Sequence, residues 1–546
     1  MKTSIILLTY NGLAYTRSCV ESIRSYTPPD EYEIIVVDNG STDGTAGWLK
    51  DQTDLKVISN QENLGFPKGC NQGMAAASGE NLLLLNNDTI VTPRWLGQLL
   101  ACLYSDERIG AVGPVTNSAA YYSSLPVPYR SEEEMIAFAE QYNRSDSAKW
   151  EERLKLIGFC LLVKREVYEA VGGLDERFSP GNYEDDDFCL RIRRAGYRLK
   201  ICTDTFIHHE GSASFRNDPQ SFNALMQDNV RKFSEKWGFS PDYSLLIRHE
   251  LLQLLDEPAS EPIRVLEVGC ACGATLLEIK NWYPNAEVHG IELNPKAAEI
   301  ASLSANVRSG NIETIEIGTA QSYFDYIIFA DVLEHLVEPW NVLHKTLPYL
   351  KENGKVLASI PNVAHYSVIR DLLKGHWTYQ DRGLLDVTHL RFFTREGICR
   401  LFSSAGYPYL EFGRNTLALT QEDEDWMNVM GRIAGDEMKE EWRTYQYIVK
   451  AYKKQPDTHT ARTQAYELLK TIVRRIEWDI EPEESRAAIA DMFRQKTFDE
   501  TDLADVIAQD VVFPVKTANV IADILIQSGL VASKEELLGK LLMGVQ

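Results

Sequence analysis

The sequence predicts an α/β protein of three domains, two built on parallel sheets and a third made of helices. Three observations predict it. Apolar runs of strand length, each ending in a polar or glycine-bearing turn, recur through residues 1–240. The same pattern restarts at Arg264 and continues to residue 420. From 421 to 546 it stops, and apolar residues recur at helical spacing instead. A chain of 546 residues is too long for one core, which agrees with several domains.

In the first region Ser4-Ile5-Ile6-Leu7-Leu8-Thr9 reads as a buried parallel strand entering the loop Tyr10-Asn11-Gly12. Ala14 to Tyr26 has helical spacing, and Glu33 to Val37 is a second strand ending in Asp38-Asn39-Gly40-Ser41. This is a strand-helix-strand unit, and such sheets bind ligands at the carboxyl ends of their strands. Leu55 to Ile58 leads into Asn63-Leu64-Gly65-Phe66 and then Asn71, at a predicted helix start. Asn81 to Leu85 delivers Asn86-Asn87-Asp88.

The organising stretch is Glu184-Asp185-Asp186-Asp187, set between Tyr183 and Phe188. Four adjacent acids repel one another, and such a cluster is costly unless a cation, a basic partner or proton sharing compensates it. With Asp88 upstream and His208-His209-Glu210-Gly211 downstream, the parts suit a metal-assisted transfer site.

In this order the motifs resemble the family 2 inverting glycosyltransferases with the GT-A nucleotide-sugar-binding fold, most closely their rhamnosyltransferase-like branch. The resemblance covers residues 1–240. It implies that Thr9, Tyr10 and Asp38 contact the base and ribose of the donor, that Asn63 and Asn71 line the nucleotide pocket, and that Asn86 and Asp88 occupy the family's Asp-any-Asp metal motif. Asparagine replaces the first acid, leaving one fewer charged ligand. His209, five residues before Ser214, matches the late metal-ligand histidine, with His208 as the alternative register. Glu184 and Asp185 match the Glu-Asp pair whose aspartate is the general base. Inverting transfer is an in-line displacement in which the acceptor hydroxyl loses a proton opposite the leaving diphosphate, so one base and one Mn2+ or Mg2+ ion suffice. The donor is expected to be UDP- or dTDP-linked.

In the second region, 241–420, Pro241 to Leu255 is predicted helical, and Arg264 to Val268 is a strand that turns through Gly269 and Gly273 into a helix near Ala274. Glycines there let backbone approach a ligand closely. Val288 to Ile291 ends in Glu292, and Phe324 to Ile328 runs into Asp331-Val332-Leu333-Glu334-His335. That set resembles the class I S-adenosylmethionine-dependent methyltransferases. It implies cofactor contacts from Glu267, Gly269, Gly273 and Glu292, with Asn311 in place of the acid that meets the adenine. A hydroxyl target needs a base, for which His335, His365 and His389 are candidates.

The region 421–546 is expected to be a helical docking or oligomerisation domain, and its helices offer a route to a homo-oligomer. Trp426, Trp442, Tyr445, Ile448 and Tyr452 fall at helical spacing, and further helices are predicted over 483–494, 501–510, 515–528 and 533–543.

Composition narrows the function. Hydrophobic residues make up 44% of the chain and aromatics 10%, as in a folded globular protein. A formal charge of -23 and a pI of about 5.0 argue against nucleic acid or anionic lipid as partner. The nine scattered cysteines read as reduced thiols, which with the absence of a long apolar run predicts a cytoplasmic protein. Ile5 to Leu8 reads as a first strand and not as a signal peptide. The expected activity is bifunctional: transfer of a sugar to a saccharide or glycoprotein acceptor, of surface polysaccharide, flagellin or S-layer type, and methylation of that glycan, with O-methylation of the added sugar. The competing expectation is a scaffold in which one or both nucleotide folds are inactive.

Overall fold

The computed structural model describes residues 2–119, 121–211, 219–436, 438–454, 460–477, 479, 482–495, 498–511 and 514–542. They divide into two compact units, Met1–Lys453 and Lys454–Gln546. Among the described residues no helix is long and apolar enough to cross a membrane.

The first unit contains two large sheets. The first is eight-stranded. Its strands are β1 (Thr3–Thr9), β2 (Tyr32–Asp38), β3 (Leu55–Ser59), β4 (Asn81–Asn86), β6 (Ile109–Val115), β7 (Trp150–Arg153), β8 (Cys160–Lys164) and β9 (Arg198–Phe206), while β5 (Thr89–Ile90) pairs separately with β10 (His208–His209). The order is β3-β2-β1-β4-β8-β6-β9-β7. β3, β2, β1 and β4 run parallel, and β8 joins antiparallel. Ile5, Leu7, Ile34, Val36, Leu83 and Leu85 are buried, as the continuous apolar runs require. The helix Phe66–Ala76 lies so close to β1 that a Cβ on Gly69 would come within 2.3 Å of Leu8. Register sets Thr9 opposite Asp38 and Leu8 opposite Asn86, so three expected site residues arrive at one sheet edge.

The second sheet holds β11 (Arg264–Val268), β12 (Glu287–Glu292), β13 (Asn306–Ser309), β14 (Phe324–Ala330), β15 (Leu350–Pro361), β16 (Tyr409–Thr416) and β17 (Thr444–Tyr452), in the order β13-β12-β11-β14-β15-β17-β16. The first five in that order are parallel, and β17 is antiparallel to both its neighbours.

β17 corrects the expected boundary at 421. Trp442, Tyr445, Ile448 and Tyr452 do fall at helical spacing, but Tyr447, Val449 and Ala451 between them are buried too. Burial on both faces belongs to a central strand. The helices Gln421–Ala434 and Met438–Arg443 likewise belong to the first unit. The single helix expected from Pro241 to Leu255 is also corrected: two short helices form, Pro241–Ser244 and His249–Leu252. The chain breaks at Leu245, whose side chain enters a neighbouring apolar cluster.

That cluster joins the two sheets' layers. Leu154, Phe178 and Leu190 from the first half pack with Leu245, Ala274 and Leu277 from the second. Beside it, Arg153 on β7 pairs with Glu278 on the helix Ala274–Trp282, both nearly fully buried.

The second unit packs the helices Thr460–Glu477, Pro482–Arg494, Glu500–Asp510, Pro514–Gln527 and Lys534–Leu541 around Leu469, Val473, Ile489, Leu503, Ile521 and Leu525.

Candidate functional site

At the carboxyl edge of the first sheet, Thr9 and Asp38 are buried and Tyr10 stands half exposed. The Thr9 hydroxyl lies 2.8 Å from that of Thr16, and Asp38 accepts from the Ser41 N–H at 3.0 Å, which ties the β1 and β2 loops together. Asn63 accepts from Asn39 at 3.0 Å and from the Gly65 N–H at 2.9 Å. Asn71 corrects its expected role. Its amide accepts from the Leu174 N–H at 2.8 Å and donates to the Leu174 carbonyl at 2.9 Å, so it staples a loop and has no polar end left for a nucleotide.

Asp88 and His209 converge across the β5–β10 pair, with His209 Nε2 3.2 Å from Asp88 Oδ1. His209 Nδ1 donates to the Ser118 carbonyl at 2.6 Å, and Asn117 brackets the His209 backbone at 2.9 and 3.1 Å. With the proton fixed on Nδ1, Nε2 can face the carboxylate only if a second proton or a cation lies between them. Burial opposes that proton, but Asp88 outweighs it and raises the His209 pKa. The donor set fits a divalent cation, and Asn86 Nδ2 stands 3.5 Å from the same Nε2. Its amide oxygen is a further neutral ligand. His208, the alternative register, is engaged instead by Tyr129 at 2.6 Å, and Ser214 lies outside the described residues.

The four acids open the helix Glu184–Arg194, where the helix N-terminus favours negative charge. The structure then separates them. Asp187 is fully buried and bound by Arg191 at 2.8 Å and Trp237 at 2.9 Å. Asp186 pairs with Lys155 at 2.9 Å in a buried setting. Glu184 is buried with Oε2 unpartnered, and burial, reinforced by Asp185, pushes its carboxyl well above the usual range. It is therefore held as a neutral acid. Asp185 alone stays partly open. Its Oδ2 accepts from the Gly158 N–H at 2.9 Å and Oδ1 from the Asp186 N–H at 2.9 Å. Burial and then Asp186 push its pKa up to about 6, close to what a general base at neutral pH needs.

Two adjacent residues that the motifs do not mark connect these parts. Gly158 holds Asp185, and the Phe159 ring stacks on His209 with centroids 5.2 Å apart.

In the second sheet Gly269 has φ of 74°, a conformation suited to glycine, and a Cβ there would come within 2.6 Å of Val332. Glu292 accepts from the Ala271 N–H at 2.8 Å and the Asn294 N–H at 2.7 Å, bracing the glycine turn while keeping lone pairs for ribose hydroxyls. Glu267 is buried, and burial raises its pKa to about 8. Gly273 caps the following helix with φ of 81°. Asn311 is exposed, and its carbonyl caps the Glu313 N–H at 2.9 Å in a local turn. Its expected use toward adenine is thus shared with a structural one. His335 and His389 come together with ring centroids 4.8 Å apart, whereas His365 caps the helix Tyr366–Leu373 elsewhere.

Two nucleotide-binding α/β folds, one with a carboxylate base beside a metal pair and one with a glycine turn and strand-end acids, define a fusion of two transferase domains. Residues 4–172 match the family described as glycosyl transferase family 2, and residues 241–411 match a methyltransferase domain family. The chain carries a family 2 glycosyltransferase domain with the GT-A fold, followed by a class I methyltransferase domain. It is 30% identical over 236 residues to the O-antigen biosynthesis protein RfbC of Myxococcus xanthus, covering 40% of this chain and 18% of the relative. It is 27% identical over 244 residues to an N-acetylglucosaminyl-diphospho-decaprenol L-rhamnosyltransferase of Mycobacterium tuberculosis, covering 40% of this chain and 78% of the relative. A SAM dependent methyltransferase structure from Archaeoglobus fulgidus matches at 17% identity, 40% of this chain and 98% of that one, with a TM-score of 0.29. The chain spans 18% to 35% of the length of three of the curated relatives it matches.

Proposed function

We propose that the protein transfers a sugar from a UDP- or dTDP-linked donor to a saccharide acceptor with inversion, and O-methylates the sugar it has added. The observation that carries the first half is the Gly158-Phe159 link, which holds the Asp185 carboxylate and the His209 imidazole in one constellation.

In this reading Tyr10, Asp38 and Asn63 receive the nucleoside, and Asp88 and His209, with Asn86, hold Mn2+ or Mg2+. The cation, when bound, supplies charge neutralisation for the departing diphosphate. Asp185 takes the proton of the acceptor hydroxyl as that oxygen attacks the anomeric carbon, and the bond to the diphosphate breaks on the opposite face. Glu184, held neutral, keeps a second negative charge away from the attacking oxygen. In the second domain Gly269 and Gly273 give backbone access to the cofactor, Glu292 takes its ribose, and Glu267 lies under its positively charged end. S-adenosylmethionine supplies the methyl group. The M. xanthus and M. tuberculosis relatives, named for O-antigen biosynthesis and for a polyprenol-linked saccharide, favour a surface glycan as acceptor over flagellin or an S-layer protein.

Mass spectrometry of three reactions tests the reading. Glu292→Ala should yield glycosylated but unmethylated product. Asp185→Asn should yield neither product on a naive acceptor, and should methylate an acceptor that is already glycosylated. Methylation of the naive acceptor by the Asp185 variant would overturn the order of steps.

A further inference from the structure

A cluster of metal-ligating side chains stands apart from the glycosyltransferase cation pair. One ligand atom each from Glu334, His335 and His389 lies within 4.8 Å of the others. Glu334 is 1% exposed, and neither of its carboxylate oxygens has a hydrogen-bond partner. A buried acid left this way is costly, and its orphaned oxygens point to a missing partner.

The hydrogen bonds fix both imidazoles in the same tautomer. Thr388 donates its hydroxyl to Asp386 at 2.6 Å, so its oxygen can only accept from His335 Nδ1, 3.2 Å away. The Thr388 carbonyl, also at 3.2 Å from that nitrogen, is a second acceptor. His389 Nδ1 faces the Leu384 carbonyl at 3.2 Å, again an acceptor. Both Nδ1 atoms therefore carry the proton, and both Nε2 atoms present lone pairs. Metal-bound histidines characteristically hand their other ring N–H to a carbonyl or an oxygen in this way. Beyond the cluster, Asp331 and Asp386 face Glu334 with one nearby cation, Arg248, which pairs with Asp331 at 2.8 Å. The surroundings favour a positive ion.

We propose that Glu334, His335 Nε2 and His389 Nε2 form a second metal site, which takes a first-row divalent transition metal such as Zn2+. Two imidazoles and one carboxylate are a borderline donor set that prefers such ions to Mg2+, and three protein ligands leave coordination positions open. The site lies just past the end of β14, and Val332 in the same loop abuts Gly269 of the cofactor turn. Resting on the methyl-transfer reading, the open position takes the acceptor hydroxyl. That hydroxyl releases its proton to solvent, its oxygen pair forms the new C–O bond to the methyl carbon, and the C–S bonding pair returns to the departing sulfur.

Metal binding can be read without turnover. In a His209→Ala background, which disables the first cation site, Co2+ should bind one per chain with a ligand-field spectrum, and Zn2+ should displace it. Adding Glu334→Gln or His389→Ala should weaken Co2+ by about 100-fold or more, and Thr388→Val, which frees the His335 tautomer, by about 10-fold. S-adenosylmethionine binding, measured alongside, should persist and report the fold. X-ray absorption of the zinc-loaded His209→Ala protein, which needs no further variant, should show two imidazoles and one carboxylate. Absence of stoichiometric binding, affinity indifferent to residues 334 and 389, or an absorption signal without imidazole would each overturn the site. A metal that binds as expected while methyl transfer proves indifferent to its removal would keep the site and reject its role.

Discussion

Gly158 donates its backbone N–H to the Asp185 carboxylate at 2.9 Å. Because Phe159, the next residue, stacks on His209, a shift of this one loop moves the base and the cation ligand together.

Asp185→Asn should lower sugar transfer by about two to four orders of magnitude and leave donor binding nearly intact. The base acts deprotonated and its pKa is pushed up to about 6, so turnover of the unaltered enzyme should rise with pH through that value and then level. A rate profile flat from pH 5 to 8 would assign the proton transfer elsewhere.

Donor binding should require a divalent ion. Asp88→Ala and His209→Ala should each remove most of the manganese-dependent part of nucleotide-diphosphate affinity in calorimetry. Full sugar transfer in chelator is the result that contradicts this.

The Arg153–Glu278 pair carries a stability prediction. Arg153→Met leaves Glu278 buried without its guanidinium and should cost about 3–5 kcal/mol, whereas the double variant Arg153→Met/Glu278→Leu should recover most of that loss. Denaturant unfolding of the three proteins reads the difference. A single variant as stable as the parent would show that solvent reaches the pair.

Glu267 makes stability depend on pH. Its folded pKa, about 8, lies above the ordinary 4.5, so its contribution is full below 4.5 and fades as pH rises through 8. Glu267→Gln stays neutral throughout. Its melting temperature should match the parent near pH 5 and exceed it progressively toward pH 8.5, with S-adenosylmethionine affinity reduced. A constant offset across that range would mean the carboxyl does not titrate there.

Much of this architecture was legible because parallel strands announce themselves. The apolar runs ending in Thr9, Asp38 and Asn86, the glycines at 269 and 273, and the acids at 184–187 are local signals, and each sits at a sheet edge or helix start. What the sequence could not display is pairing at a distance. Lys155 and Gly158 decide which of four acids stays open, yet they lie some thirty residues away in a stretch with no motif. Asn71 looked like a ligand because its amide partner, Leu174, is far along the chain. Residues 444–452 misled for a related reason, since a strand buried on both faces loses the alternation that separates it from a helix.

The apolar cluster shared by the two sheets has a consequence for the glycan. Leu154 and Phe178 on one side and Ala274 and Leu277 on the other leave no tether to swing. The span between the two chemistries is then a fixed length, as on a gauge. A flexible linker would let saccharides of many sizes find the second site, but a rigid mount admits directly only those long enough to bridge it, and shorter ones must let go and bind again. Chain length itself becomes a selected property of the product.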